Sequence, residues 1–95
     1  MSPEVRDNTE RSRFEAWMDG EFAGYADYTR EEGRVVYPHT EVRIGYEGRG
    51  VGGALARAAL EDAGRRGVRA VVTCPFIASW LARNPEFQHL AEVPS

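Results

Sequence analysis

One glycine-rich stretch decides the fold of this chain: Tyr46-Glu47-Gly48-Arg49-Gly50-Val51-Gly52-Gly53-Ala54-Leu55. Four glycines lie within six positions, and a segment rich in alanine follows directly. Glycine loses more backbone entropy on folding than any other residue, so the cluster indicates a tight turn whose bare amides approach a ligand closely. Because the turn leads into a predicted helix, its amides and the helix N-terminus would together favour an anion. The stretch therefore predicts a phosphate-binding turn.

Length, composition and charge restrict the classes of protein to which the chain can belong. Its 95 residues predict one domain with a thin core and an open cleft. Twelve basic and fifteen acidic residues give a net charge of −3, which provides no electrostatic footprint for nucleic acid. No apolar run is long enough to span a bilayer. One cysteine and an N-terminus without a signal-peptide pattern predict a cytoplasmic protein.

The half of the chain before the glycine turn alternates with the two-residue period of β-strands. Residues 1–10 are polar and aperiodic, and we predict a flexible lead-in there, followed by a single domain over residues 11–95. The predicted strands are 11–18, 21–29, 34–37 and 39–44. Asp19-Gly20 and Glu31-Glu32-Gly33 are turn sequences, so the first three strands form an antiparallel meander. Pro38 interrupts or ends the third strand.

The half that contains the glycine turn predicts a crossover unit. Apolar residues with helical spacing predict one buried helix face: Val51, Leu55, Ala56, Ala59, Leu60 and Ala63. Arg57, Glu61 and Arg65 are spaced for ion pairs on the opposite face, and Gly67 predicts the C-terminal end.

Residues 68–73 are a β-branched run typical of a buried strand, and residues 76–83 predict a short helix that ends at Asn84-Pro85. A strand, a helix and a strand in this order predict a parallel pair with a right-handed crossover. The fold class is therefore α/β, an α+β mixed sheet.

The predicted topology brings distant residues to one cleft. Ligands of such units sit outside the carboxyl ends of the strands, where the glycine turn and Cys74 both lie. His39, Glu41 and Arg43 alternate on one face of their strand, so a base, an acid and a cation would line the approach.

Two common phosphate-binding motifs do not match this turn. A nucleotide P-loop requires Lys followed by Ser or Thr after its last glycine, whereas Ala54-Leu55 follows Gly53. A dinucleotide fingerprint requires three glycines at fixed offsets near the start of a series of crossover units, whereas this turn follows a meander.

The chain resembles the Gcn5-related N-acetyltransferase family, in which a meander leads to a strand, an Arg/Gln-x-x-Gly-x-Gly/Ala turn and a long helix. Here that turn is Glu47-Gly48-Arg49-Gly50-Val51-Gly52. The resemblance is more specific to the short single-domain subgroup and covers about residues 13–90. Its motifs are His39-Thr40-Glu41-Val42, Glu47-Gly48-Arg49-Gly50, Cys74-Pro75-Phe76 and Arg83-Asn84-Pro85-Glu86-Phe87.

The resemblance implies acetyl coenzyme A as cofactor, with its pyrophosphate on the turn amides and its pantetheine arm between splayed strands. The cofactor-binding residues that it implies are Val42, Gly48, Arg49, Gly50, Val51, Gly52 and Gly53. Two positions depart from the family pattern. Glu47 stands where the family has Arg or Gln, and Trp80 lies near the position of a tyrosine that protonates the departing thiolate in larger members.

Three residues are candidates for the chemistry, and each has a structural alternative. Glu41 is either the base that takes the amine proton or a solvated surface charge. His39 is either a base or a residue that ends the strand after Pro38. Cys74 is either a thiol near the thioester, as nucleophile or acid, or a small buried hydrophobe. No metal site is predicted.

The sequence thus predicts an N-acetyltransferase that transfers acetyl from acetyl coenzyme A to an unidentified primary amine. Larger members have two helices that wall the acceptor side, and this chain lacks them, so the acceptor can be a protein or peptide. The alternatives are a non-catalytic coenzyme A or acyl-CoA binding module, which needs only the turn, and a structural domain without a ligand.

Overall fold

A computed structural model describes residues 2–94 of the chain. The strands are β1 (Glu4–Asn8), β2 (Arg13–Met18), β3 (Glu21–Asp27), β4 (Thr29–Glu31), β5 (Arg34–Tyr37), β6 (Thr40–Val42), β7 (Arg69–Val72) and β8 (Ala91–Glu92). The α-helices are α1 (Val51–Arg66) and α2 (Pro75–Arg83), and a 3-10 helix spans Pro85–Leu90. This mixed architecture confirms the predicted α/β fold class.

The strands form two sheets of four strands, in the orders β1-β2-β3-β6 and β4-β5-β7-β8. The first sheet is antiparallel throughout, and its β2–β3 hairpin turns at Asp19-Gly20 as predicted. Both turn residues have positive φ, 51° and 80°, which matches the right-handed twist of the strands. In the second sheet, β7 runs parallel to both β5 and β8.

The two sheets share one broken hairpin. β3 and β4 make up its first arm, and β5 and β6 make up its second. Pro38 and His39 interrupt the second arm, where the amide of Asp27 still donates to the carbonyl of His39 at 2.9 Å. Each arm of this hairpin therefore contributes one strand to each sheet.

The predicted parallel pair between residues 39–44 and 68–73 is wrong, because β7 pairs with β5 instead. The amides of Thr73 and Cys74 both donate to the carbonyl of Tyr37, at 3.2 and 3.0 Å, and the parallel ladder ends there. Pro38 follows and has no N–H to continue a ladder. Beyond it β6 turns away from β7 and pairs with β3, so the two strands diverge.

The predicted flexible lead-in is wrong for residues 4–8, which form β1 on the edge of the first sheet. The polar composition of residues 4–8 gave no sign of a strand. Their side chains instead form hydrogen bonds with residues of neighbouring strands. Asn8 donates to Glu15 at 3.0 Å, and Asp7 accepts from the hydroxyl of Tyr28 at 2.6 Å. The 3-10 helix and β8 also lie outside the sequence prediction.

The predicted helices are both present. All six apolar residues predicted for the inner face of α1 are buried, and Gly67 ends the helix with φ of 67°. The predicted Arg57–Glu61–Arg65 pairs do not form within residues 2–94. Arg65 and Arg66 pair with Asp62 instead. None of the helices in this part of the chain is long and apolar enough to cross a membrane.

Candidate active site

A cleft of about 460 Å³ opens where β6 diverges from the end of β7. Its walls come from β6, the glycine turn, the first turn of α1 and the start of α2. The lining residues are Thr40, Val42, Tyr46, Glu47, Gly48, Gly50, Val51, Gly52, Gly53 and Phe76. The predicted cofactor residues thus share one cavity, apart from Arg49, which follows Gly48 on the turn.

The edge of β6 that faces the cleft carries free main-chain polar groups. The residues that bond to β3 are the odd-numbered ones, since His39 accepts from Asp27 and Arg43 donates to Ala23. Antiparallel pairing alternates, so the N–H and C=O of Thr40 and Val42 point away from β3. β7 has already diverged there, and these groups are available to a ligand.

The glycine turn leaves the first amides of α1 open. Gly48 and Gly50 have φ of 76° and 83°, a conformation that favours glycine, and nothing lies within 4 Å of a Cβ built on either. No side chain within residues 2–94 caps α1, and its first turn carries no acidic residue. The helix therefore presents uncapped amides and the positive end of its dipole to the cleft.

Gly52 and Gly53 serve a different purpose, because they let α2 approach α1. A Cβ on Gly52 would lie 2.4 Å from Cζ of Phe76, and one on Gly53 would lie 3.4 Å from Nε1 of Trp80. Phe76, near the start of α2, is 39% exposed and forms part of the cleft wall.

The side chains on the turn hold its shape. Glu47 accepts a hydrogen bond from the amide of Gly45 at 3.0 Å, so its carboxylate braces the turn. The hydroxyl of Tyr46 donates to Glu21, and this bond, with some burial, raises the pKa of Tyr46. The guanidinium of Arg49 lies 5.7 Å from the ring of Tyr46 and has no carboxylate partner among residues 2–94.

His39 and Glu41 lie together beside Tyr25. Nε2 of His39 is 3.7 Å from Oε1 of Glu41, and the side chains are 53% and 55% exposed. Glu41 is opposite Tyr25 in the sheet, and the Tyr25 and His39 rings are 5.9 Å apart. Burial, and then the negative charge of Glu41, raise the pKa of Tyr25. The two candidate bases therefore lie side by side, and neither is among the residues that line the cleft.

Cys74 follows β7 and is buried, with 3% of its surface exposed, and it does not line the cleft. Its thiol donates to Oγ1 of Thr40 at 3.5 Å, and Thr40, rather than Cys74, lines the cleft. Thr40 and Tyr46 were assigned no role from the sequence. The available signals for Thr40 were its alternation with His39 and Glu41 and its place in the motif His39-Thr40-Glu41-Val42.

Comparison with known proteins identifies the family. A sequence profile of the GCN5-related N-acetyltransferase family matches residues 13–90. The chain belongs to this family. Protein NATD1 from Bos taurus is 44% identical over 52 residues, which cover 55% of this chain and 46% of that protein. Protein NATD1 from Homo sapiens is 40% identical over 52 residues, which cover 55% and 46%.

The fold of the GCN5-related N-acetyltransferase family also appears in a solved structure. The NMR structure of a GCN5-like protein from Staphylococcus aureus superposes with a TM-score of 0.73 and covers 97% of this chain and 90% of that one. The two sequences are 19% identical, so this likeness concerns the fold alone. The match to the curated relatives spans about half of their length.

Proposed function

We propose that this protein is an N-acetyltransferase that transfers acetyl from acetyl coenzyme A to a primary amine. The observation that carries the proposal is the uncapped, glycine-lined N-terminus of α1, which opens into the cleft between β6 and α2. The family assignment supports the same chemistry.

The turn fits a pyrophosphate. Gly48 and Gly50 leave open space where other residues would place a side chain, and the first amides of α1 have no protein acceptor. Such amides and the helix dipole together bind anions. Arg49, which is exposed and unpaired among the described residues, would add a cation. Glu47 bonds to the Gly45 amide, so binding would depend on main-chain groups.

The edge of β6 fits the pantetheine arm. That arm contains two amide groups. The free N–H and C=O groups of Thr40 and Val42 would form hydrogen bonds with them, as one strand does with its neighbour. Phe76 and the side chain of Val42 would cover its methylene groups.

When bound, acetyl coenzyme A supplies an acetyl group activated as a thioester. The protein must then remove a proton from the amine, and Glu41 or His39 would accept it. Both are exposed on the face of the first sheet that points away from α1. The opposite face packs against α1, since a Cβ built on Gly24 would lie 3.2 Å from Cγ1 of Val51. No helix of the described chain packs on the face that carries His39 and Glu41, so a protein or peptide could approach there.

Cys74 would support the site from within the protein. Its buried thiol bonds to Thr40, so it positions the wall of the cleft. Direct attack by this thiol would require a shift of Thr40.

The alternative is a coenzyme A or acyl-CoA binding module without turnover, and the burial of Cys74 favours it. Both functions require the glycine turn, so affinity does not separate them. Release of free coenzyme A in the presence of amine-containing peptides separates them, because only the enzyme gives turnover. A location in the cytoplasm stays a prediction from the sequence.

Calorimetric titration with acetyl coenzyme A, coenzyme A and ATP tests the cofactor. We expect both coenzyme forms to bind and ATP to bind weakly, since ATP has no pantetheine arm for the edge of β6. Failure of both coenzyme forms to bind would overturn the proposal.

The substitution Gly50→Asp tests the turn itself, because it places a side chain and a negative charge beside the uncapped amides. We expect at least a hundredfold loss of affinity, about 3 kcal/mol by the usual conversion. The control is Gly33→Asp, since Gly33 also has positive φ, 77°, and open space but lies in a different turn. Equal affinity in the two variants would show that the turn does not bind the phosphates.

A further inference from the structure

The indole of Trp80 presents an unused donor at the N-terminus of α1. The side chain is 7% exposed and is thus more than nine-tenths buried. Its Nε1 is the atom nearest to a Cβ built on Gly53, at 3.4 Å. No acceptor for this N–H is present among the hydrogen bonds of residues 2–94, and the atom is not one of the fully enclosed ones. The donor therefore reaches the surface beside the first turn of α1.

An unpaired cation lies next to this donor. Arg57 follows Gly53 by four residues, so it lies on the same side of α1 and about 6 Å farther along the helix. Its guanidinium carbon is 5.8 Å from the centre of the Trp80 ring and 5.1 Å from that of Phe87. It has no carboxylate within 4.0 Å in the described chain, although Glu61 is one turn away. The two rings therefore hold an exposed guanidinium in place.

The other arginines of α1 are already paired with a carboxylate. Arg65 and Arg66 both pair with Asp62 at the far end of the helix. Arg49 lies on the glycine turn itself, where the proposed function uses it. Only Arg57 combines an unpaired charge with a position one turn beyond the open amides.

We propose that Trp80 and Arg57 form a subsite for the 3′-phosphate on the ribose of coenzyme A. This inference rests on the proposed function, because the pyrophosphate at the first turn of α1 sets where the ribose lies. A phosphate monoester is a dianion with several acceptor oxygens, and an arginine with an added N–H donor matches it.

The experiment compares affinities for coenzyme A and for 3′-dephospho-coenzyme A, which differ only in this phosphate. We expect the wild-type protein to bind coenzyme A at least about tenfold more tightly, the size of one charge-assisted contact. In Arg57→Gln, affinity for coenzyme A should fall most of the way to that for the dephospho form, and affinity for the dephospho form should not change. Trp80→Phe should remove part of the difference.

The matched control is Arg65→Gln, which removes the same charge from the same helix about 12 Å away. It should preserve the ratio of the two affinities. Equal wild-type affinities for the two ligands would overturn the subsite and leave the proposed function intact. Failure of both ligands to bind would overturn the proposed function. A variant Arg57→Gln that weakens both ligands equally would also contradict the subsite, and this variant decides the matter if Trp80→Phe does not fold.

Discussion

At the scale of single residues, Glu15 is a buried carboxylate held by two donors of the first sheet. The side chain is 8% exposed and accepts from Nε of Arg13 at 2.9 Å and from Nδ2 of Asn8 at 3.0 Å. Burial alone would raise its pKa, but the hydrogen bonds and the charge of Arg13 outweigh it and lower the pKa below the ordinary value of 4.5. The charged form of Glu15 therefore stabilises the fold.

Glu15→Gln tests this contribution. A lowered pKa gives stability that is complete above the unfolded pKa and is lost as the pH falls through the folded pKa. At pH 7 we expect the variant to be less stable by about 1–2 kcal/mol. The difference should shrink below pH 4.5, as measured by urea unfolding across the pH range.

Glu32→Gln controls for net charge, because Glu32 is exposed and has no ion pair among the described residues. A difference between wild type and Glu15→Gln that stays constant from pH 7 to pH 3 would contradict the role of the charged form.

Much of the site could be predicted at this scale, because glycine spacing reports backbone conformation directly. The residue type permits the positive φ of Gly48 and Gly50 and made a tight turn predictable there. The contacts of Gly52 and Gly53 with Phe76 and Trp80 could not be predicted, since they depend on how α2 packs. The burial of Cys74 was likewise open, because a strand end allows either orientation.

At the scale of elements, the packing of α2 on α1 depends on two small residues. Gly53→Ala places its methyl group at an ordinary contact distance, and alanine favours a helix, so we expect a gain of about 0.5 kcal/mol. Gly52→Ala drives its methyl group into the ring of Phe76. We expect that variant to lose about 1 kcal/mol, because the half-exposed ring must move.

Urea unfolding of these variants, with and without Phe76→Ala, measures the steric conflict between the new methyl group and the Phe76 ring. In the Phe76→Ala background the Gly52→Ala change should stabilise the protein as Gly53→Ala does. Additive effects of Gly52→Ala and Phe76→Ala would mean that the two side chains do not collide.

The helices were predictable because their signals are local: apolar spacing, Gly67 at one end of α1 and Pro75 at the start of α2. β1 was not, since its sequence is polar and lacks the apolar alternation of a strand, and the partner of Asp7, Tyr28, lies 21 residues along the chain. Similarly, Arg57 turns from Glu61 to two aromatic rings that no local pattern brings near it.

At the scale of the whole molecule, Asp62 joins the far end of α1 to both sheets. It is 8% exposed and accepts from Arg66 at 2.8 Å and from Arg30 at 3.1 Å. Arg30 also reaches Asp7 of β1 at 3.0 Å, and Asp7 accepts from Tyr28, whose pKa rises to about 12 through burial and this bond.

Asp62→Ala leaves Arg30 and Arg66 without this carboxylate, and we expect a loss of about 3 kcal/mol in unfolding free energy. Glu61→Ala removes the neighbouring exposed carboxylate, which has no ion pair in the described chain, and should change stability by less than about 0.5 kcal/mol. Thermal and urea unfolding measure both. Similar losses in the two variants would mean that the network contributes little.

The fold class was predictable at this scale because a crossover unit after a meander has few arrangements. The partner of β7 was not predictable. Pro38 divides one strand into β5 and β6, and long-range contacts decide which of the two pairs with β7. The cleft opens because β7 pairs with β5 while β6 turns away to β3.

The diverging strand also gives the protein an unprotected sheet edge. Free strand edges are templates for self-association, since their unpaired N–H and C=O groups match those of any other strand. Here the edge of β6 is three residues long, Pro38 precedes it, and Glu41 carries a charge. These features limit edge-to-edge aggregation. A ligand that pairs with Thr40 and Val42 would cover the same edge. Ligand binding in the cleft would therefore also reduce self-association through this strand.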